Sequence, residues 1–117
     1  MATIVNKTSA QHYTWGEICD SWVLADTPGL SVKQESMPPG TKETLHFHNH
    51  AQQFFFILKG TATFYTNGKK NSVSANEGIL IEPKTEHYIA NETATELEFL
   101  VISQPSTNED RQNVPVS

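Results

Sequence analysis

The chain has 117 residues, 37% of them hydrophobic and 9% aromatic, which suffices for one ordinary core and is too little for two. Eight Lys and Arg against thirteen Asp and Glu give a formal charge of −5 and a pI near 5.4, so the basic face that a nucleic-acid backbone requires is missing. The lone Cys19 excludes an internal disulfide, no apolar run approaches the ~20 residues that cross a bilayer, and residues 1–13 lack the basic start and apolar core of a signal peptide, so no membrane role and a reducing, cytoplasmic home are expected.

Residues 1–11 are polar and non-periodic, an arm or edge strand that orders only against a partner. Residues 13–26 carry Trp15, Ile18, Trp22, Val23 and Leu24, enough for one or two short strands or part of a subunit interface. Thr27-Pro28-Gly29 marks a turn, after which Leu30, Val32, Gln34 and Ser36 alternate with Ser31, Lys33 and Glu35. That alternation predicts a strand with Leu30 and Val32 facing inward, carrying Gln34 with them, and the other set facing water. Pro38-Pro39-Gly40 then launches a strand with His46 and His48. Alternate residues of a strand share a face with Cα atoms about 7 Å apart, so two imidazoles can converge on one ion; a helix would need a spacing of three or four.

Residues 52–58 are apolar on both faces, which predicts a strand covered on both sides. Lys59-Gly60 turns the chain into residues 61–66, and Asn67-Gly68 is a two-residue hairpin signal that returns residues 69–75 antiparallel. Glu77-Gly78 makes another turn before Ile79-Leu80-Ile81, Pro83 to Glu86 leads into His87-Tyr88-Ile89-Ala90-Asn91, and residues 97–102 form the last strand. Beyond Gln104-Pro105 the sequence becomes uniformly polar, so residues 106–117 read as a mobile tail and residues 1–105 as a single domain with an N-terminal arm. There is no internal repeat and no long helical periodicity. The class is all-β.

A single His on a strand is more often surface or satisfied core than ligand. His46 and His48 at alternate positions, with His87 brought from a distant strand, are hard to explain by packing. His50 falls where the strand must turn and reads as a rim residue, and His12 has no constellation around it. Tyr65, Tyr88, Glu82 and Glu98 are candidate proton-transfer groups whose orientation the sequence does not fix, so no catalytic residue is named.

With these turns placed, residues 30–102 resemble the cupin superfamily, small double-stranded β-helix (jelly-roll) barrels. Two motifs carry the resemblance. The first runs Gly, five residues, His-x-His, three or four residues, Glu, six residues, Gly, and Gly40, His46, His48, Gln53 and Gly60 fall on it with Gln in the acidic place. The second ends in His, three residues, Asn, which His87 and Asn91 match after Gly78 and Pro83, with a shortened stretch before the His. The resemblance implies that His46, His48, Gln53 and His87 hold one metal inside the barrel. Gln52 is the alternative oxygen ligand, because the family also allows the shorter gap. Three imidazoles and an oxygen suit Zn, Ni, Mn, Fe or Cu, and an amide in place of a carboxylate leaves the ion its full double charge.

The resemblance further implies a small-molecule ligand or substrate. It leaves open a metal-dependent enzyme, either a dioxygenase-like oxidoreductase or a sugar or acid isomerase, and a non-catalytic module that binds a sugar-like molecule. Small cupins are commonly dimers, and Trp15 with Trp22 offers more aromatic surface than one small barrel needs, so a homodimer is expected.

Overall fold

Strands of three to nine residues build the chain: β1 (Gln11–Trp15), β2 (Cys19–Thr27), β3 (Leu30–Met37), β4 (His46–His48), β5 (Gln52–Lys59), β6 (Thr61–Thr66), β7 (Lys69–Ser74), β8 (Gly78–Ile81), β9 (His87–Ala90), β10 (Leu97–Gln104) and β11 (Arg111–Asn113). The structure, a computed structural model, describes residues 1–115. Among these there is no helix long and apolar enough to cross a membrane. The strands form two antiparallel sheets, in the orders β1-β2-β3-β10-β5-β8 and β11-β4-β9-β6-β7, which close face to face as a double-stranded β-helix.

Turn chemistry sets the corners. Asn67 and Gly68 both take positive φ, 48° and 80°, the left-handed pair that matches the twist of a tight hairpin between β6 and β7. Gly60, at φ 85°, lies so close to the chain before β10 that a Cβ there would sit 2.6 Å from the Glu96 carbonyl oxygen. Only glycine permits that approach.

Inside, Phe55, Ile57, Leu97 and Phe99 of the first sheet meet Phe64 and Ile89 of the second, with the Phe55 ring 5.0 Å from Phe64 and 5.8 Å from Phe99. Each such side chain contributes on the order of 1.5–3 kcal/mol by leaving water. The register shows where this core ends. Across β3, β10 and β5 the inward tiers run Met37 with Leu97, then Glu35 with Phe99 and Ile57, then Lys33 with Val101 and Phe55, and finally Ser31 with Ser103 and Gln53. The barrel is therefore dry at one end and polar at the other.

Three expectations change. On β3 the inward set is Ser31, Lys33, Glu35 and Met37, and Leu30 stands outside, 40% exposed. The pairing of Met37 with fully buried Leu97 fixes this, since a period of two then turns the polar set inward. On β5 only Gln53, Phe55 and Ile57 are buried, while Gln52, Phe54 and Leu58 face out. Phe54 instead joins Leu30, Leu80 and Ile102 in a patch on the outside of the first sheet. The third change is at the C-terminus, where the segment expected to be a mobile tail supplies β11, paired along β4 in the register Arg111 with His48 and Asn113 with His46.

Candidate metal centre

β4 places His46 and His48 on the inner face with Phe47 turned away, and β9 pairs His87 directly opposite His46. All three rings are buried, their centroids 4.4 to 5.7 Å apart, and one ring nitrogen from each lies within 4.8 Å of the others. Three histidines thus meet in a group that can hold a metal ion.

The remaining ring nitrogens decide the protonation. Nδ1 of His46, His48 and His87 each lie against a backbone carbonyl, Thr44 at 2.7 Å, Asp110 at 2.9 Å and Thr85 at 2.8 Å. A carbonyl only accepts, so each Nδ1 carries the proton and each Nε2 presents a lone pair. Burial holds all three rings neutral: it pulls His46 down to about 3 and His87 down to about 4, and lowers His48 as well.

Gln53 lies beside the three histidines. Its Nε2 donates to Ser103 Oγ at 3.0 Å, which turns Oε1 toward His87 Nε2 at 3.2 Å. Both of these atoms are acceptors, and the His48 Nε2 is buried with no partner at all. A buried acceptor left unmet costs about 1–3 kcal/mol. Lone pairs converging where burial discourages a proton are what a cation would satisfy, so the donor set fits a divalent ion.

The other sequence candidates lie elsewhere. Gln52 faces out and donates to Gln104 Oε1 at 2.7 Å, His50 is exposed, and His12 meets Asp20 at 2.8 Å on the surface. Tyr65 and Tyr88 stack 4.6 Å apart outside the barrel, with Tyr65 donating to Glu92, and Glu98 pairs with Lys7. Asn91 is fully buried and ties its turn to the carbonyls of Met37 and Thr95, both at 2.8 Å, a structural role.

Beside the histidines a cavity of about 410 Å³ opens, lined also by Trp15, Lys33, Glu35, Glu43 and Arg111. Lys33 Nζ donates to Tyr13 Oη at 2.9 Å, and Glu43 accepts from the Ile89 N–H at 3.2 Å. Both glutamates keep some surface toward the cavity but are walled in by protein. Burial pushes Glu43 up to about 8, with Arg111 offsetting only part of it, and burial raises Glu35 too. Sequence reasoning missed this polar wall. The alternation of Ser31, Lys33 and Glu35 carries the signal, but with Leu30 and Val32 read as the inward pair it falls on the wet face.

Comparison with known proteins fits this geometry. Residues 34–103 match the Cupin domain family. The chain belongs to the cupin family. Among its relatives, a mannose-1-phosphate guanylyltransferase of Escherichia coli is 33% identical over 92 residues, covering 79% of this cupin and 19% of that protein. An oxalate-binding protein of Thermotoga maritima is 33% identical over 66 residues, 56% of this cupin and 54% of the relative. The cupin thus spans about a fifth of the first and half of the second. Among solved structures, KdgF from Halomonas sp. superposes with a TM-score of 0.84 at 15% identity, covering 93% of this chain and 98% of that one. A cupin sugar phosphate isomerase from Silicibacter pomeroyi gives 0.78 at 16% identity, with coverage of 89% and 76%. At such identities these structures show the fold alone.

Gln53→Glu keeps the oxygen and adds a negative charge beside a bound ion. It is expected to tighten metal binding by on the order of 1–3 kcal/mol at effective protein dielectrics. Gln52→Glu, on the outer face, should leave binding unchanged. Competition with a chelator measures both.

Proposed function

We propose that this cupin holds one divalent transition metal on His46, His48, His87 and Gln53 and catalyses proton transfer on a small, oxygen-rich organic anion, in the manner of an isomerase. The observation that carries this reading is Glu43, a carboxyl that lines the same cavity as His46 and His48, is fixed there by the Ile89 N–H at 3.2 Å, and is pushed up to about 8 by burial. A general acid works best with a pKa near the operating pH. A bound ion would polarise a substrate carbonyl or hydroxyl oxygen as a Lewis acid. Lys33 and Arg111 supply the positive charge for a carboxylate or phosphate, and the apolar faces of Trp15 and Phe55 exclude water from the reacting atoms. The proton removed from carbon needs an acceptor, and Glu35 on the same wall, in its ionised form, is the base that would take it, its raised pKa making that carboxylate the stronger base.

The test is a panel of hydroxy acids, keto acids and sugar acids incubated in heavy water with metal-loaded protein. Deuterium at carbon next to a carbonyl, without oxygen uptake, is expected. Oxygen consumption would contradict the reading in favour of dioxygenase chemistry. An unaltered ligand that merely saturates the site would make the protein a binding module, the role that the oxalate-binding relative's name describes.

We also propose that a second copy covers the outer patch of Leu30, Phe54, Leu80 and Ile102. The patch contains large apolar side chains that are 38 to 54% exposed, which a lone barrel would leave wet. Sedimentation at micromolar concentration should give a dimer that Leu80→Glu dissociates; a monomeric wild-type profile contradicts it.

A further inference from the structure

β4 is only three residues long and carries two of the three histidines, yet β9 holds it through a single residue pair, His46 with His87. Its other edge is held by β11 through three pairs, continued by the Val114 N–H donating to the Leu45 carbonyl at 2.9 Å. The strand that presents the metal ligands is thus seated on both sides, by β11 along one edge and by the His46–His87 pair with the Lys84 N–H donating to the His48 carbonyl at 2.6 Å on the other.

Asp110, buried just before β11, makes the tightest part of the β11 attachment. Its carbonyl accepts from His48 Nδ1 at 2.9 Å, and its carboxylate accepts from the consecutive N–H groups of Asn49, His50 and Ala51 at 2.9 to 3.0 Å. Those three residues link β4 to β5, hence His48 to Gln53. Arg111, next along, reaches the Thr44 carbonyl at 3.5 Å, the same oxygen that orients His46. Two adjacent residues, more than sixty positions from His46 and His48, therefore touch the groups that aim both of these rings.

We propose that Asp110 is a positioning residue of the metal centre and that residues 107–114 act as a strap whose seating and metal binding reinforce each other. The proposal rests on the metal reading above. Orienting partners of metal-bound histidines typically affect affinity 10- to 100-fold when removed. Coupling of this kind is reciprocal, so a bound ion must hold the strap more firmly in place.

The experiment compares Zn²⁺ affinity, by chelator competition, in the wild type, Asp110→Ala, Asp110→Asn and Glu77→Ala. Glu77 accepts from the Ser74 N–H at 2.8 Å and so closes a turn away from the histidines, which makes it a control for loss of a turn bond as such. Asp110→Ala removes the carboxylate that anchors the Asn49–Ala51 amides but keeps the carbonyl that His48 Nδ1 meets, so it should lose about tenfold in affinity, the lower end for an orienting partner, Asp110→Asn less, and Glu77→Ala nothing. In the unaltered chain, Zn²⁺ should slow hydrogen exchange at Asn49, His50, Ala51 and Val114 by tenfold or more and leave the β6–β7 hairpin unchanged. An Asp110→Ala affinity within twofold of wild type, or exchange at these amides indifferent to Zn²⁺, overturns the proposal. Should Asp110→Ala fail to fold, the exchange measurement decides alone. A wild-type chain that takes up none of Zn²⁺, Ni²⁺, Mn²⁺, Fe²⁺ and Cu²⁺ overturns the metal reading and the strap's role with it, whereas binding insensitive to the strap overturns the strap alone.

Discussion

His87→Ala is expected to weaken divalent-metal binding by two to three orders of magnitude. Structural zinc sites with four ligands bind with about 10–16 kcal/mol, so each ligand accounts for on the order of 2.5–4 kcal/mol, and every 1.4 kcal/mol is about tenfold. The same variant should change the acid side of metal-free stability. In the unfolded chain the histidines titrate near 6.5, whereas in the fold burial lowers His48, pulls His46 to about 3 and His87 to about 4. Between those values the unfolded state binds more protons, so this stability is present above about 6.5 and is lost as pH falls toward 4 and 3. With His87 gone one of three contributions disappears, and the decline below 6.5 becomes shallower, even though the void left by the ring costs roughly 2 kcal/mol or more at neutral pH. Chelator competition and urea unfolding at pH 7 and pH 5 measure the two effects. An unchanged metal affinity would remove His87 from the site.

Glu43→Gln should lower turnover by about 10²- to 10⁴-fold, the usual contribution of a positioned general acid, while leaving metal affinity near its wild-type value. Its effect on stability has the opposite sign to that of the histidines. Glu43 titrates near 4.5 when exposed and at about 8 in the fold, because burial disfavours its charge. The folded state therefore binds more protons between those values, and this stability is fully present below about 4.5 and lost as pH rises toward 8. The amide cannot ionise, so the variant should show a flatter profile across that window. Activity retained in Glu43→Gln would move the acid role to Glu35 or dismiss it.

The fold was legible because its signals are local. Asn67-Gly68 dictates a hairpin whatever surrounds it, and His46-x-His48 on a strand must share a face. The direction of β3 was not legible. Its alternation is clear in the sequence, but which set faces inward depends on Met37 meeting Leu97 sixty residues away, and the apolar Leu30 and Val32 pointed the wrong way because an outer face of this barrel is apolar too. That single choice hid Lys33 and Glu35 from the site. Arg111 and Asp110 were hidden for a different reason: a polar, non-periodic segment reads as unfolded when its hydrogen bonds go to another strand rather than to a core. Gln53 could be placed beside the histidines by motif spacing, yet its orientation needed Ser103, which only the pairing of β5 with β10 brings within reach.

The most direct test of the metal centre is elemental analysis of unheated protein purified without added metal, followed by metal titration, with His46→Ala/His48→Ala carried in parallel. The account predicts about one divalent ion per wild-type chain and none above background in the double variant. Equal, substoichiometric metal in both proteins, with no uptake by the wild type on titration, would contradict it.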